Sequence, residues 1–314
     1  MHLITPQQPH PLFNTAATRR LEQQAAAALP PHTLMQRAGL AVARLAQALA
    51  PHARTVWIAC GPGNNGGDGL EAAMHLQRDG WRVVVTWLGT PEHAPPDARQ
   101  SWQRALDAGV TWADEAPPGM TAADLCIDAV LGIGIASTAP ARAPDRRLLA
   151  VLAALQHSPA PVLAVDLPSG LDADTGQFAA GFALPTGPIS RQQPKPRHTL
   201  SLLTLKPGLF TAAGRDGAGN VWLDDLGVCP EPEPPSAWLA GPALPGYAAF
   251  SPAPGHQLGY NELKTLEVQE LIMAVAGQGA DGSDFEAAWE VERLATAIRL
   301  AAREEERWVK PQDL

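Results

Sequence analysis

The feature that most constrains the fold is the stretch Cys60-Gly61-Pro62-Gly63-Asn64-Asn65-Gly66-Gly67-Asp68-Gly69, which lies between an apolar run over 55–59 and a helix-like run over 70–78. A strand that passes through a glycine-rich turn into a helix presents backbone N–H groups to a ligand at the helix start. The five glycines permit a sharp turn and close approach to that ligand. The two asparagines and the aspartate add amide and carboxylate groups that a pure phosphate cradle does not need.

Around this stretch, strand-like and helix-like runs alternate. An Ala-rich run over 18–28 ends at Pro30-Pro31 and reads as a helix, and the spacing of Leu34, Ala38, Val42 and Leu45 predicts a second over 32–49. β-branched and apolar runs predict strands at 54–60, 81–87, 124–130, 162–167, 200–205 and 220–224. Helices are expected at 99–108 and 146–157. The pattern predicts an α/β fold with helices on both faces of the sheet. Its sheet is mostly parallel, and ligands bind at the carboxyl ends of the strands. Proline is densest over 229–254, where it resists helix and sheet and reads as a linker. The expected organisation is a main domain over 1–229, a Pro-rich linker over 230–258, and a short tail over 259–314 with helical stretches near 262–276 and 284–305.

The formal net charge of −9 argues against a nucleic-acid surface. The three widely spaced cysteines form neither a metal pattern nor a disulfide framework and read as reduced thiols. No run is long and apolar enough to cross a membrane, and no secretory signal is evident, so a cytoplasmic protein is expected.

Three strand ends carry candidate chemistry: the glycine stretch, Asp128-Ala129-Val130-Leu131-Gly132-Ile133-Gly134, and Asp166-Leu167-Pro168-Ser169-Gly170-Leu171-Asp172. In a doubly wound sheet they could meet at one crevice, bringing together Asn64, Asn65, Asp68, Asp128, Asp166 and Ser169. The stretch satisfies Gly-x-Gly-x-x-Gly, but Trp87-Leu88-Gly89 stands where a dinucleotide fold would place its ribose-binding acid. Asp68 at a helix start would also repel a pyrophosphate placed there. It suits ligand hydroxyls or an amide better, although taken alone it reads equally as a helix cap and the Asn pair as a turn device. Buried strand-end carboxylates at 128 and 166 are costly unless paired or coordinating a cation. A carboxylate, an amide and a hydroxyl together suit a hard cation rather than zinc. Singly, Asp128 reads as well as a turn cap and Ser169 as a turn hydroxyl, and Asp172 and Asp174 read as turn residues. No Gly-x-Ser-x-Gly elbow and no Walker-type lysine is present, which disfavours acyl transfer and phosphotransfer.

Together these motifs carry a resemblance. With Leu34-Met35-Gln36-Arg37-Ala38-Gly39 before them and Lys206-Pro207-Gly208 and Gly219-Asn220-Val221 after, the first ~230 residues resemble the NAD(P)H-hydrate epimerase family. The resemblance implies a Rossmann-like three-layer αβα sandwich and epimerisation of the R and S forms of hydrated NADH and NADPH. By it, Asn64, Asn65, Gly66, Gly67 and Asp68 would hold the substrate. The loop Gly132, Ile133, Gly134, Ile135, Ala136, Ser137 and Thr138 would hold it too, and Asp166 would contact it. Asn65, Asp128 and Ser169 would hold potassium (K+). Inverting a carbinol carbon beside a ring nitrogen by loss and re-addition of hydroxide needs an acid/base group and stabilisation of a cation. Asp166 is the expected acid/base residue, with Asp68 orienting the ligand. The resemblance also implies a separate NAD(P)H-hydrate dehydratase as functional partner, and a homodimer is one expected assembly.

The chain departs from that family in two places. The loop over 135–142 lacks the family's basic or small-polar pattern, and the stretch over 177–197 is rich in Pro and Gly. The end of the tail, Phe285–Val291 and Glu306–Val309, resembles the C-terminus of glucose–fructose-type oxidoreductases, with no cofactor domain of that family before it. Two alternatives follow: a non-catalytic nucleotide-binding module of the same fold, and an oxidoreductase, which the missing ribose acid disfavours.

Overall fold

The structure is a computed structural model, and it describes residues 1–5, 9–134, 145–179, 182, 195–228 and 235–239. In chain order the elements are β1 (His2–Leu3), β2 (His10–Leu12), α1 (Thr15–Ala28), α2 (Thr33–Leu49), β3 (Val56–Cys60), α3 (Asn64–Arg78), β4 (Val83–Trp87), α4 (Pro96–Asp107) and β5 (Thr111–Trp112). After these come β6 (Leu125–Ala129), α5 (Arg146–His157), β7 (Val162–Val165), β8 (Arg197–Leu202), a 3-10 turn (Pro207–Leu209), α6 (Gly214–Gly217), β9 (Asn220–Asp224) and β10 (Ala237–Leu239). They fall in one compact unit, Met1–Leu239.

Eight strands form one sheet in the order β1-β9-β8-β7-β6-β3-β4-β5. Every neighbouring pair is parallel except β1 with β9. β3, β6 and β7 are apolar at nearly every position because both faces of the sheet are covered. On one face Val42, Leu45, Leu70, Met74 and Leu76 of α2 and α3 pack on Ile58, Val85, Ile127 and Leu163. On the other, Val151 and Leu155 of α5 pack on Trp57, Cys126 and Val162. Each such fully buried large side chain stabilises the fold by roughly 1.5–3 kcal/mol. The expected α/β class with a mostly parallel sheet is the one observed.

Sheet order reverses at β3: the chain runs outward to β4 and β5 on one side, then returns to β6 and continues through β7, β8 and β9 on the other. In open α/β sheets, ligands bind outside the strand carboxyl ends at such a reversal. The glycine stretch follows β3 and Asp128 lies near the end of β6, so the two flank that point.

Two differences from the sequence reading have physical causes. The helix after β3 begins at Asn64, inside the glycine stretch, rather than after it. Gly66 and Gly69 therefore act in helix packing: a Cβ on Gly66 would sit 1.9 Å from the Gly61 carbonyl oxygen, and one on Gly69 2.5 Å from the Ala129 Cβ. Second, the stretch read as linker contributes β10, which pairs antiparallel with β2 in a separate two-stranded sheet. Residues 229–234 and 240–314, with most of the expected linker and the whole tail, lie outside the described residues. No helix among the described residues is long and apolar enough to cross a membrane.

Candidate functional site at the strand carboxyl ends

Asp128 and Ser169 meet directly. Ser169 Oγ donates to Asp128 Oδ1 at 2.5 Å, and the Ser169 backbone N–H donates to Oδ2 at 3.0 Å. The Leu131 N–H donates to Ser169 Oγ at 2.9 Å, which ties the turn after β6 to the turn after β7. Asp128 also accepts from the Val130 N–H at 3.3 Å, so its turn-capping role exists alongside the pairing. Burial pushes the Asp128 carboxyl above its ordinary range; the bonds from Ser169 and Val130 and the Arg197 charge oppose the rise.

Asn65, in the first turn of α3, faces the same place. A Cβ on Gly132 would lie 3.4 Å from its side-chain atoms, so the turn after β6 passes over the amide. Asn65 Nδ2 is buried with no hydrogen-bond partner. An orphaned buried amide costs free energy, and amide orientation is an assignment; turned over, the group offers an oxygen. Asp128, Ser169 and Asn65 therefore form an oxygen donor set that includes one carboxylate. No cluster of three or more His, Cys, Asp or Glu side chains suited to a metal occurs among the described residues. The donor set fits a weakly charged hard cation such as potassium better than a transition metal.

Asp166 begins the turn after β7 in a left-handed backbone conformation, φ 66°, rare for a residue with a side chain. It is 8% exposed. Its Oδ1 accepts from the Lys206 ammonium, 1% exposed, and from the Leu202 N–H at 3.2 Å. Lys206 also donates to the Leu202 carbonyl at 2.7 Å and to Ser201 Oγ at 3.3 Å. Three acceptors for three N–H protons satisfy the ammonium. A buried lysine flanked by Leu205 and Pro207 is a readable sign of a paired cation, and this partner of Asp166 was missed from sequence.

Asp68, one turn into α3, is partly exposed. Desolvation, then the charges of Asp166, Glu22, Glu71 and Asp97, push its carboxyl well above the usual carboxylate range. Glu22 of α1 is exposed; desolvation and Asp166 raise its pKa while Lys206 and Arg19 oppose them. Solvent screens Glu22, so it is the least constrained of these acids.

At the end of β4 the Trp87 indole donates to the Gly61 carbonyl at 3.0 Å, holding the glycine stretch from the position where a ribose acid was sought. Asp172 is a turn residue, accepting from the Asp174 and Thr175 N–H groups at 2.9 Å each, and Asp174 accepts from the Thr15 N–H at 2.6 Å. A cavity of about 300 Å³ opens beside Asp128 and Ser169, lined also by Leu149, Leu152, Phe178 and Arg197. Asp68 and Asp166 do not line it. Of the expected second loop, Gly132, Ile133 and Gly134 follow β6 in the turn over Asn65; Ile135, Ala136, Ser137 and Thr138 lie outside the described residues.

Residues 31–208 match the family described as YjeF-related protein N-terminus. The chain is 42% identical over 164 residues to an NAD(P)H-hydrate epimerase of Rhodobacter capsulatus, covering 50% of this chain and 74% of that one. An NAD(P)H-hydrate epimerase of Bordetella pertussis is 36% identical over 197 residues, 63% of this chain and 80% of its own. The bifunctional NAD(P)H-hydrate repair enzyme Nnr of Escherichia coli is 32% identical over 242 residues, 74% of this chain but 41% of that enzyme. A crystal structure of the yeast protein ynu0 superposes with a TM-score of 0.50 at 19% identity, covering 72% of this chain and 97% of that one, a likeness of fold.

Proposed function

The chain belongs to the YjeF-related N-terminal family, and from that premise we propose that it interconverts the R and S forms of hydrated NADH and NADPH, an isomerase of metabolite repair. The observation that supports the reading is the meeting of three strand-end elements beside the sheet reversal: Asn65 after β3, packed under the turn after β6, Asp128 in β6, and Ser169 after β7 bonded to Asp128.

Asn64 to Asp68 and the turn Gly132–Gly134 bind the hydrated dinucleotide, and Asp166 stands beside the reacting ring. The substrate carbon carries a hydroxyl next to a ring nitrogen. Breaking the C–O bond lets the nitrogen lone pair form a C=N bond, giving a ring cation. The carboxylates of Asp68 and Asp166 would stabilise that cation by charge–charge attraction. Asp166 acts as an acid/base group, and its bonds from Lys206 and Leu202 fix its orientation at no cost during the reaction.

Asn65, Asp128 and Ser169 would hold potassium. When bound, the ion supplies positive charge that offsets the burial of Asp128 and cross-links the turns after β3, β6 and β7. The reading extends to a cytoplasmic setting, with Cys60 and Cys126 as buried free thiols, and to a separate dehydratase that consumes one of the two epimers. The organisation 1–229, 230–258 and 259–314 belongs to the same proposal. The test is the rate of R/S interconversion by purified protein, with and without potassium; a rate equal to the spontaneous one refutes the reading.

A further inference from the structure

Two cations at the start of β8 differ in their bonding. Lys195 donates to the Leu155, Gln156 and Ser158 carbonyls, so its ammonium caps the C-terminus of α5 and pins that helix to the strand. Arg197 is partly buried, yet it makes no side-chain hydrogen bond and no ion pair among the described residues. Its place follows from the sheet register. β8 pairs Arg197 with Val162, and β7 pairs Val162 with Cys126. Residues in register on neighbouring strands point to one face, and Val162 and Cys126 pack against Val151 and Leu155 of α5. Arg197 therefore lies on the α5 face, and so does Asp128, two residues beyond Cys126. Both line the cavity of about 300 Å³ on that face, where Leu149, Leu152, Val162, Phe178 and Phe182 form apolar walls.

We propose that this cavity is a ligand site for a small monocarboxylate with an apolar body, bound through Arg197. A partly buried cation without an acceptor is unfavourable, and an anionic group brought to it removes that penalty. Asp128 does not fill the role: its oxygens accept from Ser169 and the Val130 N–H, and no hydrogen bond or ion pair joins it to Arg197. The guanidinium fork matches a carboxylate through two parallel hydrogen bonds. The Asp128 carboxylate in the same lining repels a second negative charge, so a monoanion is favoured over a phosphate dianion. The leucine, valine and phenylalanine walls favour a hydrocarbon chain or ring behind the carboxylate. A volume of about 300 Å³ stands at the lower end for ligand pockets and suits one ring or a short chain rather than a dinucleotide. Binding there is independent of whether the chain epimerises hydrated dinucleotides.

The experiment is a ligand-observed NMR titration of the full chain with benzoate and hexanoate, with their neutral amides benzamide and hexanamide, and with acetate, which lacks the apolar body. At least one of the two carboxylates should bind with a Kd of about 0.1–10 mM, the range for a ligand of about ten non-hydrogen atoms. Its amide, and acetate, should bind at least about tenfold more weakly, and Arg197→Met should weaken the carboxylate by the same factor. Circular dichroism checks that the variant folds. Ala153→Phe, at an exposed position of α5 that borders the cavity, puts a ring into it without changing a charge. It should also abolish binding, and it decides the outcome if Arg197→Met fails to fold. An amide that binds as tightly as its carboxylate overturns the proposal, because the charge then plays no part. An unchanged Kd in Arg197→Met or Ala153→Phe overturns it by moving the ligand elsewhere, and so does the absence of binding by both carboxylates across that range. Carboxylate binding by a chain that does not accelerate R/S interconversion refutes the epimerase reading alone; an active chain that binds neither carboxylate refutes this inference alone.

Discussion

Replacing Lys206 by Met removes a buried cation and leaves a buried anion. The ammonium bonds Asp166 Oδ1, the Leu202 carbonyl and Ser201 Oγ, and it is 1% exposed. Met fills most of the same volume, so the cost is electrostatic rather than a cavity. Asp166 keeps one bond, from the Leu202 N–H at 3.2 Å. Breaking a buried pair by deleting one partner costs about 3–5 kcal/mol. For a domain of this size about 2–4 °C of Tm accompanies each kcal/mol, so Tm should fall by roughly 6–20 °C. The assay is thermal unfolding followed by circular dichroism at neutral pH. Asp166→Asn combined with Lys206→Met removes both charges and should recover at least half of the loss, because the penalty belongs to the unpaired carboxylate. A single variant that melts within about 2 °C of wild type would falsify the buried-pair account. So would a double variant that loses the sum of the two single effects.

Asp68 has a folded pKa above its unfolded value, so its favourable contribution is complete below the unfolded carboxylate range and is lost as pH rises through the folded pKa. Asp68→Asn should therefore melt higher than wild type near pH 8, the gap closing as pH falls toward 4; a gap that widens on acidification contradicts this sign. Potassium that binds only the native state should stabilise the fold by about 1.4 kcal/mol at tenfold over Kd, read as a rise in Tm, and sodium should do so less; Ser169→Ala should remove the rise, and an unchanged rise would move the ion elsewhere. Ser169→Ala also leaves Asp128 and the Leu131 N–H without their shared hydroxyl, a loss of about 1–3 kcal/mol readable by urea unfolding. Gly61→Ala would place a Cβ 1.8 Å from the Val130 carbonyl oxygen and should cost more than about 2 kcal/mol by the same method.

The parallel sheet was legible because its strands are apolar runs bounded by glycine and proline, and the strand over 220–224 and the helix over 146–157 fall where the pattern predicts. The short strands β1, β2, β5 and β10 were not legible. Two- and three-residue strands carry no periodicity, and their pairing is decided by tertiary neighbours. At the site, Asp128 and Ser169 were grouped, with Asn65, only as the potassium ligands the resemblance implies; their direct hydrogen bond was not anticipated. Nor was Lys206, since nothing local in Leu205-Lys206-Pro207 says which carboxylate forty residues earlier it meets. The glycines of 66–69 misled in one respect: they read as turn residues, whereas helix α3 already runs through them and needs their missing side chains to pass Gly61 and Ala129. Trp87 was read as the absence of a ribose acid; its indole N–H holds the Gly61 carbonyl, a contact that depends on strands 26 residues apart lying side by side.

The central claim is that these strand ends form an epimerase site. The most direct measurement is the approach to R/S equilibrium of purified R-form hydrated NADH, followed by chromatography with wild-type chain, Asp166→Asn and no protein. The account predicts rapid equilibration with wild type and a near-spontaneous rate with the variant. Equal rates in all three, or full activity in the variant, would contradict it.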